Sequence, residues 1–176
     1  MKRIILLLCL CILLGLAGCA GNVDQPEVPV RFFYPRHTND ILYEGDDGVV
    51  TWELRESAGN EENYSYLLNL YLRGPTVLPL RNPFPRATSV VSFEQNANQV
   101  ILTLSDPFAQ LSGMDLTLAG ACLMKTVNGM TGAEILYIRT QTQSLDSSGY
   151  LLFRMEDLIF TDSTNTPDTD QKGNTT

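Results

Sequence analysis

The groups in this chain that could carry chemistry are one histidine, four cysteines and twenty carboxylates. His37 lies in Pro35-Arg36-His37-Thr38, and no nucleophile elbow occurs anywhere in the chain, so a serine triad has no base placed for it. A metal site built on this one imidazole would need carboxylate or thiolate help from elsewhere. In so polar a segment His37 reads as a solvated side chain. Glu53 or Glu56 with Asp106 or Glu134 could on paper supply the paired carboxylates that cleave a glycosidic bond, but nothing marks any two of them as a pair. Asp46-Asp47-Gly48 lacks the ligand spacing of a calcium loop, and no Gly-rich phosphate loop is present. Asn63-Tyr64-Ser65 has the form of a glycosylation sequon but falls inside a predicted helix. These readings lead to a non-enzymatic protein with no cofactor and no metal.

A different nucleophile stands out. Cys19 closes Leu16-Ala17-Gly18-Cys19, after a basic start at Lys2-Arg3 and an apolar run from Ile4 to Leu14. That run has the length of a signal-peptide core and is shorter than the roughly 20 residues of a membrane span. Small residues at Ala17 and Gly18 let an extended backbone enter a peptidase, and the Cys19 thiol can accept a diacylglyceryl group. Over these four positions the segment resembles the lipobox of bacterial lipoproteins. The reading is a leader over 1–18 and lipidation at Cys19, with the mature chain on the outer face of the cell membrane. Each buried acyl CH₂ contributes about 0.8 kcal/mol, so one chain holds marginally and two or more hold stably.

With Lys2 and Arg3 removed and no acid lost, 10 basic side chains face 20 acidic ones, a formal net charge of −10. This acidic surface argues against nucleic acid as a partner, because its phosphates need lysine and arginine. Docking on anionic lipid by charge is disfavoured as well, which leaves the membrane to the lipid anchor. Cys9 and Cys11 go with the leader and Cys19 is consumed by lipid, so Cys122 has no intramolecular partner. Between Ala121 and Leu123 it reads as a small buried residue.

Ala20 to Pro29 carries two prolines and no apolar periodicity, which makes 19–29 a lipidated tether. Its ten residues reach at most about 33–36 Å, so the folded domain over 30–160 sits close to the bilayer. Residues 161–176 are Thr, Asp, Asn and Gly around Pro167 and read as a disordered tail. Within the domain, Val30–Tyr34 and Val49–Arg55 have strand character. A helix is expected next, capped by Asn60 with Glu61 and Glu62 in its first turn. Its stripe is Tyr64, Leu67, Leu68 and Tyr71, and Arg73, Gly74 and Pro75 end it. Thr76–Arg86 holds Pro79, Pro83 and Pro85 and must be an extended loop.

A hairpin follows, with Val91 and Phe93 on one face of its first arm and Val100, Leu102 and Leu104 on one face of its second. Gln95-Asn96-Ala97-Asn98 makes its turn. Ser112 with Asp115 forms a capping box for a second helix, whose core face is Leu118, Ala121 and Cys122 and whose stop is Asn128-Gly129. Ile135–Ile138 and Tyr150–Phe153 are later strands joined by a polar turn near Ser147-Ser148-Gly149, and Asp157–Phe160 adds a last short edge.

The ordered set is a helix ending Tyr71-Leu72-Arg73-Gly74-Pro75, a loop with Leu78-Pro79, a hairpin ending Leu104-Ser105-Asp106-Pro107-Phe108, and a small-residue helix leading to Glu134-Ile135-Leu136-Tyr137-Ile138. Over roughly Val30 to Phe160 this resembles the GerMN domain of sporulation and spore germination proteins, a family that commonly travels on lipoproteins with a short tether. The resemblance implies a compact α+β unit with two helices packed on one face of a small sheet, similar to ring-building motifs. It also implies that the domain works by docking on neighbours through its surface, and it carries over no catalytic residues. The expected partner is a protein of the cell envelope or a second copy of this chain. The alternative is an envelope module that binds a solute or peptidoglycan. The loop Thr76–Arg86, with Arg73, Arg81 and Arg86, is the most basic part of an acidic surface and is named as the contact region.

Overall fold

A computed structural model describes residues 28–36 and 49–158. The leader, the tether up to Glu27, His37, Asp46-Asp47-Gly48, Ile159-Phe160 and the tail lie outside the described residues. The α+β architecture expected from the sequence is present, with the strands divided between two sheets. Strands β1 (Val30–Pro35) and β2 (Val50–Arg55) form an antiparallel pair in the register Phe32↔Glu53 and Tyr34↔Thr51. The second sheet has the order β3 (Val90–Asn96), β4 (Gln99–Leu104), β5 (Ile135–Thr140) and β6 (Leu151–Arg154). Its central pair β4–β5 is parallel, and parallel neighbours need a crossover. Helix α2 (Gly113–Thr131) supplies it.

Helix α1 (Tyr64–Leu72) buries Leu67, Leu68, Tyr71 and Leu72, close to the predicted stripe. Its cap is one turn later than expected. The Asn63 side chain accepts the Tyr66 N–H at 3.0 Å, whereas Asn60 is spent in the preceding turns, where its Nδ2 donates to the Ala58 carbonyl. Glu61 and Glu62 thus precede the helix. The expected end is found: Gly74 has φ +102°, and a Cβ there would meet Asn82 Nδ2 at 2.8 Å. Tyr71 gathers the rings of Phe32, Tyr34 and Phe84 at centroid distances of 5.3, 4.8 and 5.1 Å. Its hydroxyl donates to the Phe33 carbonyl, and the Tyr34 hydroxyl donates back to the Tyr71 carbonyl. Burial pushes both phenols well above the ordinary tyrosine range.

Several expectations need correction in the second half. A bulge between Val90 and Ser92 reverses the alternation of β3, so Val90 and Phe93 meet the core while Val91 is exposed. The hairpin turn is shorter than expected, only Ala97-Asn98, with Ala97 at φ +51°. Helix α2 runs past Asn128-Gly129 and stops at Gly132, which has φ +72°. Asn128 ties that end down by donating to the Ala133 carbonyl. Ser112 is the α2 N-cap by backbone, but its side chain makes no cap bond and the box with Asp115 stays open. Leu118 is half-buried, and the buried face runs from Ala119 to Met124 and includes Thr126 and Val127. Met155–Asp157 is a short 3₁₀ turn where an edge strand was expected to begin.

Both helices bury their apolar sides in one core with Val100, Leu102, Leu104, Leu136 and Ile138, the inward residues of the four-stranded sheet. Helix α2 also binds the β1–β2 pair, where Thr126 Oγ1 accepts the Phe33 N–H at 3.0 Å. It packs tightly on the sheet at Gly120, where an added Cβ would lie 1.9 Å from the Phe153 ring. Gly120→Ala should therefore destabilise the protein by about 3 kcal/mol in denaturant titration, the range for overpacked cores. Adding Phe153→Leu should recover part of that loss, and a neutral Gly120→Ala would contradict this packing.

Candidate functional site

The site starts with an inversion in β2. Alternation along Val50-Thr51-Trp52-Glu53-Leu54-Arg55 turns Trp52 and Leu54 outward, 42% and 52% exposed, and turns Glu53 inward, 4% exposed. A buried carboxylate must be paired and hydrogen-bonded. Arg55, two residues on and on the same face, supplies the charge at 2.6 Å. The Thr76 N–H at 2.9 Å, the Val77 N–H at 3.1 Å and the Thr76 hydroxyl at 3.2 Å all donate to Glu53 Oε2. The guanidinium also donates to the Gly74 carbonyl at 2.6 Å and lies over the Phe32 ring. One ion pair thus holds both sides of the turn that leaves α1.

Further contacts hold the rest of the loop. The Arg81 N–H donates to the Pro35 carbonyl at 3.0 Å, Leu80 bridges Arg36 and is buried, and the Asn82 side chain donates to the Leu72 carbonyl. Between the two clamps the chain turns outward. Val77 is 53% exposed and Leu78, before the cis peptide bond to Pro79, is 86% exposed. The result is an apolar tip on a fixed backbone.

Of the three arginines named from the sequence, the structure brings the backbones of two together. The Asn82–Leu72 bond joins the neighbour of Arg81 to the neighbour of Arg73. Arg73 and Arg86 are exposed. Arg81 stands 3.9 Å from Asp115, both partly in solvent, and such a pair contributes little. Arg86 belongs to the next turn, closed by Thr88 on the Pro85 carbonyl. Among the described residues no hydrogen bond joins it to the other two arginines.

The alternative chemistry fares differently at each acid. Glu53 is committed to Arg55 and the loop amides. The Thr142 hydroxyl and N–H hold the Asp106 carboxyl below the usual range, the wrong direction for a general acid. Glu56 and Glu134 are exposed. Cys122 is fully buried, and burial pushes its thiol up to about 12. Among the described residues no group of three or more His, Cys, Asp or Glu side chains could hold a metal ion. A cleft of about 600 Å³ beside Asn60, Glu61, Glu62, Tyr64 and Phe93 is wide open to solvent.

The role of Glu53 and the exposed Leu78 were not read from the sequence. The usable signal was an acid and a base two apart on one strand, which places them on the same face. Glu53→Gln leaves Arg55 buried without its counter-ion and should destabilise the fold by about 3 kcal/mol. Trypsin should then cut faster after Arg73 and Arg81, under conditions where the parent chain is intact. Unchanged stability and unchanged cleavage would contradict the clamp.

No protein-family model matches the sequence, and no curated protein matches it. Solved structures do resemble the fold. The tandem GerMN domains of the sporulation protein GerM from Bacillus subtilis superpose with a TM-score of 0.52 at 14% identity, over 77% of this chain and 47% of that one. This chain therefore spans about half the length of that protein. The first GerMN domain of the same protein gives 0.49 at 13% identity, over 69% of this chain and 91% of that one. A candidate lipoprotein from Clostridium perfringens gives 0.42 at 20% identity, over 74% and 89%. At such identities the likeness concerns architecture alone, and the α+β architecture of this chain is similar to that of the tandem GerMN domains.

Proposed function

We propose that this is an extracytoplasmic lipoprotein, anchored through Cys19, whose GerMN-like domain has no catalytic role and docks on a protein partner of the cell envelope. The observation that carries the reading is Leu78, 86% exposed at the tip of a loop that a buried ion pair holds in place. An apolar side chain presented on a rigid backbone loses little entropy on binding, which is the property of a docking anchor. Arg73 and Arg81 flank the loop tip in sequence and Arg86 follows it on an acidic chain, so the partner surface we infer is an apolar pocket with an acidic rim. The GerMN architecture supports a place in a sporulation or germination complex, because the neighbour with that fold is a sporulation protein.

The experiment is crosslinking in intact cells. Arg81→Glu with Arg86→Glu should weaken partner capture at least tenfold while leaving the melting temperature unchanged, and Leu78→Asp should do the same. Full capture by both variants would overturn the docking role of this loop. The anchor is read separately. Cys19→Ser should accumulate as an uncleaved, unacylated precursor, and processing like the parent chain would refute the lipid attachment.

A further inference from the structure

Strand β6 is the outer strand of the four-stranded sheet, and among the described residues nothing pairs with its free side. The ladder shows which of its backbone groups face outward. The Met155 N–H donates to the Glu134 carbonyl at 2.9 Å, one step beyond the Ile135↔Arg154 pair of the antiparallel β5–β6 register. Bonded and non-bonded pairs alternate along such a ladder. Leu136–Phe153 and Ile138–Leu151 are thus the bonded pairs. Leu152 and Arg154 turn their N–H and C=O groups away from β5.

The side chains add a second pattern. On the sheet face that the helices leave uncovered, Ile101 sits beside Tyr137 and Tyr137 beside Leu152, which makes an apolar row that runs out at the β6 edge. Leu152 is 42% exposed there, as is Tyr150, whose ring packs edge-on against Tyr137 at 5.2 Å. The opposite edge of the sheet is protected. Strand β3 carries a bulge at Val91, and α1 packs on it through the Tyr64–Phe93 ring pair. Among the described residues β6 has neither device, and an edge without one is a template for another strand.

We propose that a second copy of this chain lays its own β6 antiparallel against this one, across a two-fold axis through Leu152. In that register Leu152 faces Leu152 of the other copy, and each exchanges its free N–H and C=O with its mate. The apolar row then continues from Ile101 of one copy to Ile101 of the other. Arg154 falls opposite Tyr150 and Phe153 opposite Leu151, so no two like charges meet along the paired strands. A two-fold contact of this kind is self-complementary and closed, and it makes a dimer without growing into a fibre. It uses a surface other than the 76–86 loop and stands or falls independently of it.

Cysteine pairing in intact cells tests the register. Residues opposite each other in a bonded antiparallel pair have Cα atoms about 5.5 Å apart, within disulfide reach. Residue 154 and its mate would be separated by about 14 Å, four residues along the strands. Leu152→Cys in the full chain should give a disulfide-linked dimer at least ten times more abundant than Arg154→Cys does. Arg154→Cys and Tyr150→Cys should link to each other when co-expressed. In detergent, Leu152→Pro removes an outward N–H that the monomer does not use. It should shift the sedimenting species from dimer to monomer with unchanged circular dichroism. If that variant fails to fold, Leu152→Lys sets two like charges on the axis and should give the same shift. Equal linking at 152 and 154, or a parent chain that sediments as a monomer at every concentration, would overturn the proposal.

Discussion

A carboxylate that retains 4% of its exposure sits on β2, and much of the first half of the fold follows from keeping it satisfied. The desolvation of Glu53 amounts to several kcal/mol and is offset only by a full set of partners. Arg55 neutralises it, and the remaining lone pairs take the amides of Thr76 and Val77. Those amides are available only if the chain turns sharply after α1, which Gly74 allows with its positive φ and Pro75 reinforces. A two-stranded ribbon such as β1–β2 is marginal alone. Here attachments on several sides hold it: the ion pair and the Arg81–Pro35 bond to the loop, the Tyr34–Tyr71 exchange to α1 and the Phe33–Thr126 bond to α2.

The other half of the molecule is organised by an asymmetry between sheet faces. One face buries Val100, Leu102, Leu104, Leu136 and Ile138 under the helices and sets the core. The other is a polar row of Ser92, Thr103 and Arg139, linked by hydrogen bonds and by the Arg139–Glu94 pair, beside the apolar row of Ile101, Tyr137 and Leu152. An open face half covered by long side chains is ordinary for an antiparallel edge region. What sets this one apart is that its apolar row ends at a strand edge with free backbone groups. The molecule therefore presents two exposed features of different kinds: a pinned apolar tip and, among the described residues, a strand edge without a partner.

Much of the fold was legible because local signals agreed. The run Val30-Arg31-Phe32-Phe33-Tyr34 before Pro35 can hardly be anything but a strand. Gly74-Pro75 ends a helix by chemistry that tertiary packing rarely overrides. The misreadings share a cause, which is that a side chain had two uses and its partner was distant. Asn60 and Asn63 are equally good caps on paper, and the turn at Ser57–Asn60 decided between them. Asn128-Gly129 looked like a stop until Ala133, on the far side of Gly132, took the Asn128 amide. The bulge at Val91 is invisible in a sequence whose alternation reads equally well in either phase.

The site was legible only in part. The loop Thr76–Arg86 and its arginines were singled out from proline content and charge, while the carboxylate that holds the loop backbone lies on β2, well upstream in the chain. The alternation around Glu53 points the wrong way, because its neighbours Trp52 and Leu54 look like the inward residues of β2, and only Arg55 two residues on hints at a paired acid. Charge on the wrong face of an amphipathic strand was the mark of the site, and it became meaningful once the loop amides were seen above it.

The account rests on the tip being held in place before any partner arrives. Amide hydrogen exchange at Thr76 and Val77 measures this directly, because both N–H groups are occupied by Glu53. Protection as strong as that of the β1–β2 amides, lost only on global unfolding, is the predicted result. Exchange at the rate of a free surface loop would show that the carboxylate does not hold the loop, and the docking role built on it would fall.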